Sequence, residues 1–240
     1  MRIYQKINDE LLADYDRLLK ARADYFRQVY DSFCIRRCFS SYLDIGCGKG
    51  YNTRAFAKGI RKAVGIDKSK KDLAMAKKLL KGSRITLAVG DSTALRFHDK
   101  EFNFITAFSV LEHVSNLDTA LREIRRVLSD DGILVLQQPN NHFIVELHTY
   151  LPFVFLLTKR LRFFLLGKLG FPEEDIFATL LSLKELKGKL RKNGFKMRIK
   201  RMIYPSEIMP ERMRLVYHLL ASLGIFTIIP FGFMLVCEKQ

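Results

Sequence analysis

The chain has 240 residues, 48% hydrophobic and 28% charged, which excludes a disordered or fibrous polypeptide. That length gives one decorated domain rather than two, with a core that needs no covalent staples, and four cysteines exclude a disulfide scaffold. Lys and Arg outnumber Asp and Glu by 41 to 25, and the net charge of +16 fits an anionic partner, nucleic acid or membrane surface, or serves solubility alone.

The first twenty residues are charged throughout and hold no apolar core of a secretory signal, so a reducing, cytoplasmic setting is expected. Ile3, Ile7, Leu11, Tyr15, Leu18 and Leu19 recur at helical spacing, and Tyr25, Phe26, Val29, Tyr30 and Phe33 continue the pattern. Residues 1–40 therefore read as an N-terminal helical cap of one or two helices. Cys34 and Cys38 could share a helix face, but with no second Cys or His pair nearby they read as ordinary thiols, and no metal site is expected.

From 41 to 140 the chain alternates. Short apolar runs at 41–46, 62–67, 85–90, 102–107 and 132–138 read as strands, with helical patterns between them at 51–59, 70–81 and 117–128. This alternation predicts an α/β fold with a doubly wound, mostly parallel sheet. Residues 141–194 form an insertion, greasy and aromatic at first and punctuated by Lys and Arg. It ends in a helix from a Ser182 cap to a stop at Asn193-Gly194. Residues 195–240 supply an alternating strand at 195–204, a helix over 207–222 and a closing strand, Phe233–Lys239, which brings the sheet to seven strands. Residues 215–237 hold no charge and are long enough for a membrane span, but Gly224, Pro230 and Gly232 break them into helix, loop and strand.

The most informative residues are Asp44-Ile45-Gly46-Cys47-Gly48-Lys49-Gly50, which leave a strand and enter a helix. Gly46 permits the tight turn, Gly48 lets backbone approach a ligand, and the helix start offers free N–H donors. A second strand ends in Asp67, placed to accept from ribose hydroxyls, and a third ends in Gly90-Asp91-Ser92, whose carboxylate could receive an exocyclic amine. Position 51 is Tyr, so the spacing of a dinucleotide fingerprint fails. Asp44 would repel a pyrophosphate and attract an ammonium or sulfonium.

On these residues the chain resembles the class I S-adenosylmethionine-dependent methyltransferases, over about 38–140. LDIGCGKG is similar to their first motif, VGID to the second and GDSTAL to the third. FITAFSVLEHV and LREIRRVLSDDGILVLQQPNN resemble the small-molecule and lipid branch that includes quinone methyltransferases, with Asp130-Asp131-Gly132 in place of the commoner turn. The resemblance implies S-adenosylmethionine as cofactor. Asp44, Gly46, Cys47, Gly48 and Gly50 would line its methionine end. Asp67, with Lys68 beside it, would take the ribose, and Asp91 and Ser92 the adenine edge. Ser109 and Glu112-His113 would close the pocket near the transferable methyl. His113 and His142 are the candidate bases, with His148 and Tyr150 near the latter.

The expected acceptor is a small or lipid-like molecule, methylated at oxygen or carbon. Phe108-Ser109-Val110-Leu111 lacks the Pro-Pro-aromatic segment of base-amine methyltransferases, and Gln138-Pro139-Asn140 lacks the Cys of cytosine-C5 enzymes, which disfavours nucleic acid. An RNA methyltransferase and a non-catalytic cofactor-binding or membrane-associated protein are the alternatives. Residues 159–201 carry 13 basic against 4 acidic residues. Apolar aromatics threaded with Lys and Arg over 151–171 read as a lid with peripheral contact to anionic membrane.

Overall fold

The computed structural model describes residues 15–35, 37–140, 157–169, 181–209 and 211–240. Helix α1 (Tyr15–Asp31) precedes β1 (Ser41–Ile45), α2 (Tyr51–Phe56), β2 (Lys62–Asp67), α3 (Lys70–Leu79), β3 (Ile85–Val89) and β4 (Phe102–Phe108). A short 3-10 turn at Leu111–His113 leads to α4 (Leu117–Val127) and β5 (Leu128–Pro139). Then come α5 (Lys159–Leu169), α6 (Leu183–Lys192), β6 (Phe195–Met202), α7 (Glu211–Ser222), α8 (Ile225–Ile228) and β7 (Gly232–Lys239).

The seven strands form one sheet in the order β3-β2-β1-β4-β5-β7-β6, parallel from β1 through β5 and antiparallel at β7. The chain winds outward from β1 to β3 and returns to β4 on the other side of β1. This reversal opens a crevice at the carboxyl ends of β1 and β4, where ligands of such sheets bind.

Period-two alternation splits the core between the two faces of the sheet. Leu43, Ile105, Leu134 and Leu235 pack with Leu121 and Ile124 of α4 and Leu186 and Leu190 of α6. Their neighbours Tyr42, Phe104, Val135 and Val236 face the other way, with Phe26 of α1 and Phe56 of α2. Each such buried side chain contributes roughly 1.5–3 kcal/mol relative to exposure. The predicted Ser182 cap is a full capping box with Glu185, and Gly194 ends the turn after α6 at φ 75°.

Element boundaries shift from the sequence expectation. The described part of the cap helix runs Tyr15–Asp31, and residues 3–14 of the expected pattern lie outside the described residues. Strand β5 starts at Leu128 rather than 132, because the Asp130-Asp131-Gly132 turn is absorbed as an irregularity where the register with β4 shifts. β7 is not an edge: it lies between β5 and β6, bonded to both.

Its interior place sets the first prediction. Truncation after Pro230 removes Met234, Leu235, Val236 and Cys237, all at most 1% exposed, and unpairs β6 from the sheet. The truncated chain is expected to be insoluble or to lose its cooperative thermal transition. A soluble product with a normal melting curve would contradict the role of β7.

Candidate functional site

The loop after β1 is held over the end of β2. The N–H groups of Gly46 and Cys47 both donate to the Ile66 carbonyl, at 2.8 and 3.0 Å. Gly46 adopts φ 68°, and a Cβ there would stand 2.3 Å from a methyl of Val110, so both backbone shape and space demand glycine. Gly48, at φ 51°, has nothing within 4 Å of where a Cβ would project. The loop thus presents bare backbone to open space at the carboxyl edge, while Gly50 caps α2.

Asp44 sits beneath this loop, 1% exposed. Its two oxygens accept from Thr53 Oγ1 on α2 at 2.6 Å and from Thr106 Oγ1 on β4 at 2.7 Å. The Tyr42 hydroxyl lies 2.7 Å from the same Thr106 oxygen. Burial raises the Asp44 pKa to about 6, although both threonine hydroxyls oppose the rise, and the nearby Asp67 charge adds to it. The carboxyl therefore braces the loop from below instead of lining its surface, and its charge acts through space.

Asp67 ends β2 half-buried. One oxygen accepts the Gly48 N–H and the other the Ser69 N–H, both at 2.8 Å. A carboxylate has about four acceptor positions, so each oxygen keeps capacity for a hydroxyl donor. Lys68 pairs with Asp91 at 3.1 Å. Partial burial pushes the Asp91 carboxyl up, but the Thr93 N–H and Lys68 outweigh it and hold the pKa below the usual range. Ser92 beside it is buried. Asp44, Asp67 and Asp91 thus end three adjacent parallel strands at one edge, as their spacing implied.

Ser109, just past β4, adopts φ 53°, a conformation that costs a side-chain-bearing residue roughly 1–3 kcal/mol. Its hydroxyl donates to Gln137 Oε1 at 2.6 Å, and Gln137 Nε2 donates to the Tyr204 hydroxyl at 3.3 Å. The strained serine is thereby tied to β5 and to the segment after β6. His113 lies exposed on the 3-10 turn beyond it, next to the buried Glu112. His142, His148 and Tyr150 fall outside the described residues. Cys47 is buried, and burial pushes its thiol pKa well up, so it is a neutral packing group against Gly65.

Thr53, Thr106, Gln137 and Tyr204 escaped the sequence reading. Thr106 and Gln137 had a signal, a polar residue inside an otherwise apolar strand, but their partners lie 62 and 67 positions away. The N-terminal cap reaches the loop as well: Lys49 pairs with Asp16 at 3.1 Å and lies over the Tyr15 ring at 4.5 Å. A cavity of about 460 Å³ lined by Lys100, Arg122, Arg125 and Asp130 lies at the opposite edge, where β4 and β5 begin, and takes no part in this arrangement.

The family described as a methyltransferase domain matches residues 43–136. An uncharacterised protein of Methanocaldococcus jannaschii is 36% identical over 135 residues, 55% of this chain and 50% of its own. A demethylmenaquinone methyltransferase of Lactobacillus johnsonii is 37% identical over 112 residues, 42% of this chain and 46% of its own. The chain thus spans about half the length of the curated relatives it matches. A crystal structure of a SAM-dependent methyltransferase of Thermotoga maritima, described as a possible histamine N-methyltransferase, superposes with a TM-score of 0.60. That likeness, at 16% identity over 96% of this chain and 97% of the other, is one of fold.

The brace under the loop gives a pH prediction. A carboxyl whose folded pKa lies above its unfolded value favours the fold fully below about 3.8, and that advantage is lost as pH rises through about 6. Asp44→Asn cannot ionise. Its thermal stability relative to wild type is expected to climb between those pH values by about 3 kcal/mol and then level, from the roughly two-unit shift. Calorimetry of both proteins across this range checks it, and a pH-independent difference would contradict a carboxyl ionising in the interior.

Proposed function

We propose that this chain, a class I S-adenosylmethionine-dependent methyltransferase, transfers the methyl group of that cofactor to a small or lipid-like acceptor at oxygen or carbon. The observation that carries the reading is the bare Gly48 backbone facing open space between a buried carboxylate and the ends of β2 and β3. An approaching ligand meets peptide edge there instead of side chain, and the charges around it suit a cation with hydroxyls.

In this reading the backbone of Gly46, Cys47, Gly48 and Gly50 cradles the methionine end, and Asp44 supplies negative charge from below. Asp67 accepts from the ribose hydroxyls, with Lys68 alongside, and Asp91 and Ser92 hold the adenine edge. Ser109, fixed through Gln137, shapes the wall nearest the reacting group. The bound cofactor supplies a methyl on a sulfonium, already a good leaving group, so the protein needs chiefly to align the acceptor and exclude water. An acceptor that retains a proton needs a base, and His113 and His142 remain the candidates.

The acceptor class rests on two supports. The Lactobacillus relative is named for a quinone precursor. And α5 carries Leu161, Phe163, Phe164 and Leu165 at 39–54% exposure, interleaved with Lys159, Arg160, Arg162 and Lys168, with no acidic residue in the helix. Lys168 Nζ stands over the Phe164 ring at 4.4 Å. Such a helix suits peripheral contact with anionic lipid. Among the described residues no helix is long and apolar enough to cross a membrane.

Isothermal titration with S-adenosylmethionine tests the assignment. Gly48→Val is expected to abolish binding, because a branched side chain fills the cradle and strains the φ 51° backbone. Asp67→Ala is expected to weaken it by roughly 1–3 kcal/mol, the scale of hydrogen bonds to a charged group. No heat of binding with the intact protein would overturn the reading.

A further inference from the structure

Helix α7 exposes a row of leucines beside the polar Glu211, His218 and Ser222. Its inward side is fixed by Tyr217, whose hydroxyl donates to the Tyr204 carbonyl at 2.5 Å and whose ring lies 4.8 Å from Phe226. Its outward side carries Leu215, Leu219 and Leu223, in the turn that follows, at 82, 60 and 64% exposure. Spaced four apart, they form one row along the helix, about 12 Å long at 1.5 Å per residue. Ile228 of α8, a few residues on, is 72% exposed as well. Helices facing water normally turn polar residues outward.

The row has a definite place. β6 ends at Met202 opposite Gly232, and Gly232 lies opposite Pro139, the last residue of β5. The 203–231 excursion therefore leaves and rejoins the sheet at the carboxyl edge, where the glycine loop lies. The excursion containing α5 leaves β5 at this same edge.

We propose that Leu215, Leu219, Leu223 and Ile228 form the contact by which this edge seats on an anionic lipid bilayer. This deepens the lipid-acceptor reading and rests on it. The charges select the occupant: no residue from Leu215 to Pro230 is charged at pH 7, Glu211 one turn before the row is paired with Arg214 at 3.6 Å, and the exposed Arg201 donates to the Thr227 carbonyl beside Ile228 at 3.1 Å. An apolar row with cations at its border matches acyl chains beneath acidic headgroups. A stable protein interface needs on the order of 1,000 Å² of buried surface, more than so narrow a row offers by itself. Docked this way, the open edge faces the membrane, and a lipid-borne acceptor reaches the site without crossing water.

The test is co-sedimentation of the full chain with phosphatidylglycerol–phosphatidylcholine vesicles and with pure phosphatidylcholine vesicles, at low and high salt. The wild type is expected to bind the anionic vesicles and to bind them less at high salt. Leu215→Ser/Leu219→Ser/Leu223→Ser is expected to lose at least about tenfold in vesicle affinity while binding S-adenosylmethionine as before, since these side chains support no core. Vesicle binding by the triple variant at wild-type strength overturns the proposal. If Phe163→Ser/Phe164→Ser then abolishes it, the α5 contact stands alone. A wild type that ignores both vesicle types removes this surface and the membrane reading together, while its cofactor titration reports on the methyltransferase assignment separately. A dimeric wild type made monomeric by the triple variant would make the row a self-association surface and overturn the bilayer assignment.

Discussion

The buried carboxyl of Asp44 is the interaction on which this architecture turns. It joins β1 to α2 through Thr53 and to β4 through Thr106, directly under the loop that needs the most exact backbone. Isolated in an apolar interior, an ionised carboxylate is expensive; two short hydroxyl bonds offset part of that cost and leave its pKa raised. The fold accepts the remainder at one place. A carboxyl fixed by two hydroxyls lies beneath a surface that no side chain obstructs at Gly48.

The loop above is constrained from three sides. The Ile66 carbonyl takes two of its N–H groups, Asp67 takes the Gly48 N–H, and Val110 occupies the space a Cβ at Gly46 would require. Val110 belongs to the segment that follows strained Ser109, so the glycine loop and the post-β4 turn are mutually shaped. The loop after β1 and the turn after β4 thus form one packed unit, and a change on either side is transmitted to the other by contact. The bond from Ser109 to Gln137, continued to Tyr204, extends that unit to the C-terminal strands.

The C-terminal third completes the sheet and also alters its surroundings. Inserting β7 antiparallel between β5 and β6 returns the chain to the carboxyl edge twice, so a mostly aliphatic excursion stands next to the site. Tyr204, Tyr217, Phe226 and Phe231 pack ring against ring beneath it, with Tyr204 and Phe231 stacked at 5.2 Å. The leucines on the outer side are therefore presented by a rigid base. Exposed aliphatic side chains distinguish this part of the surface from the ion-paired opposite edge around Asp130.

Local chemistry made much of this legible in the sequence. Short apolar runs marked the strands, Ser182 a helix start, and Gly46, Gly48 and Gly50 the loop, because each reports a backbone geometry that neighbouring residues decide. The spacing of Asp44, Asp67 and Asp91 predicted three strand ends on one edge, since in a parallel sheet every crossover returns to the same side. Direction and partnership needed the tertiary structure. Asp44 reads as a ligand-facing acid until Thr53 and Thr106 are seen to close over it, and no local pattern shows that the Ser109 hydroxyl donates to Gln137. The last strand reads as an edge until β6 pairs outside it. Which side of α7 turns inward is decided by Tyr217, whose hydroxyl reaches back to the Tyr204 carbonyl. Each outcome depends on contacts between residues far apart in the chain, formed only when the sheet closes, and no local pattern encodes which side of an element those contacts will take.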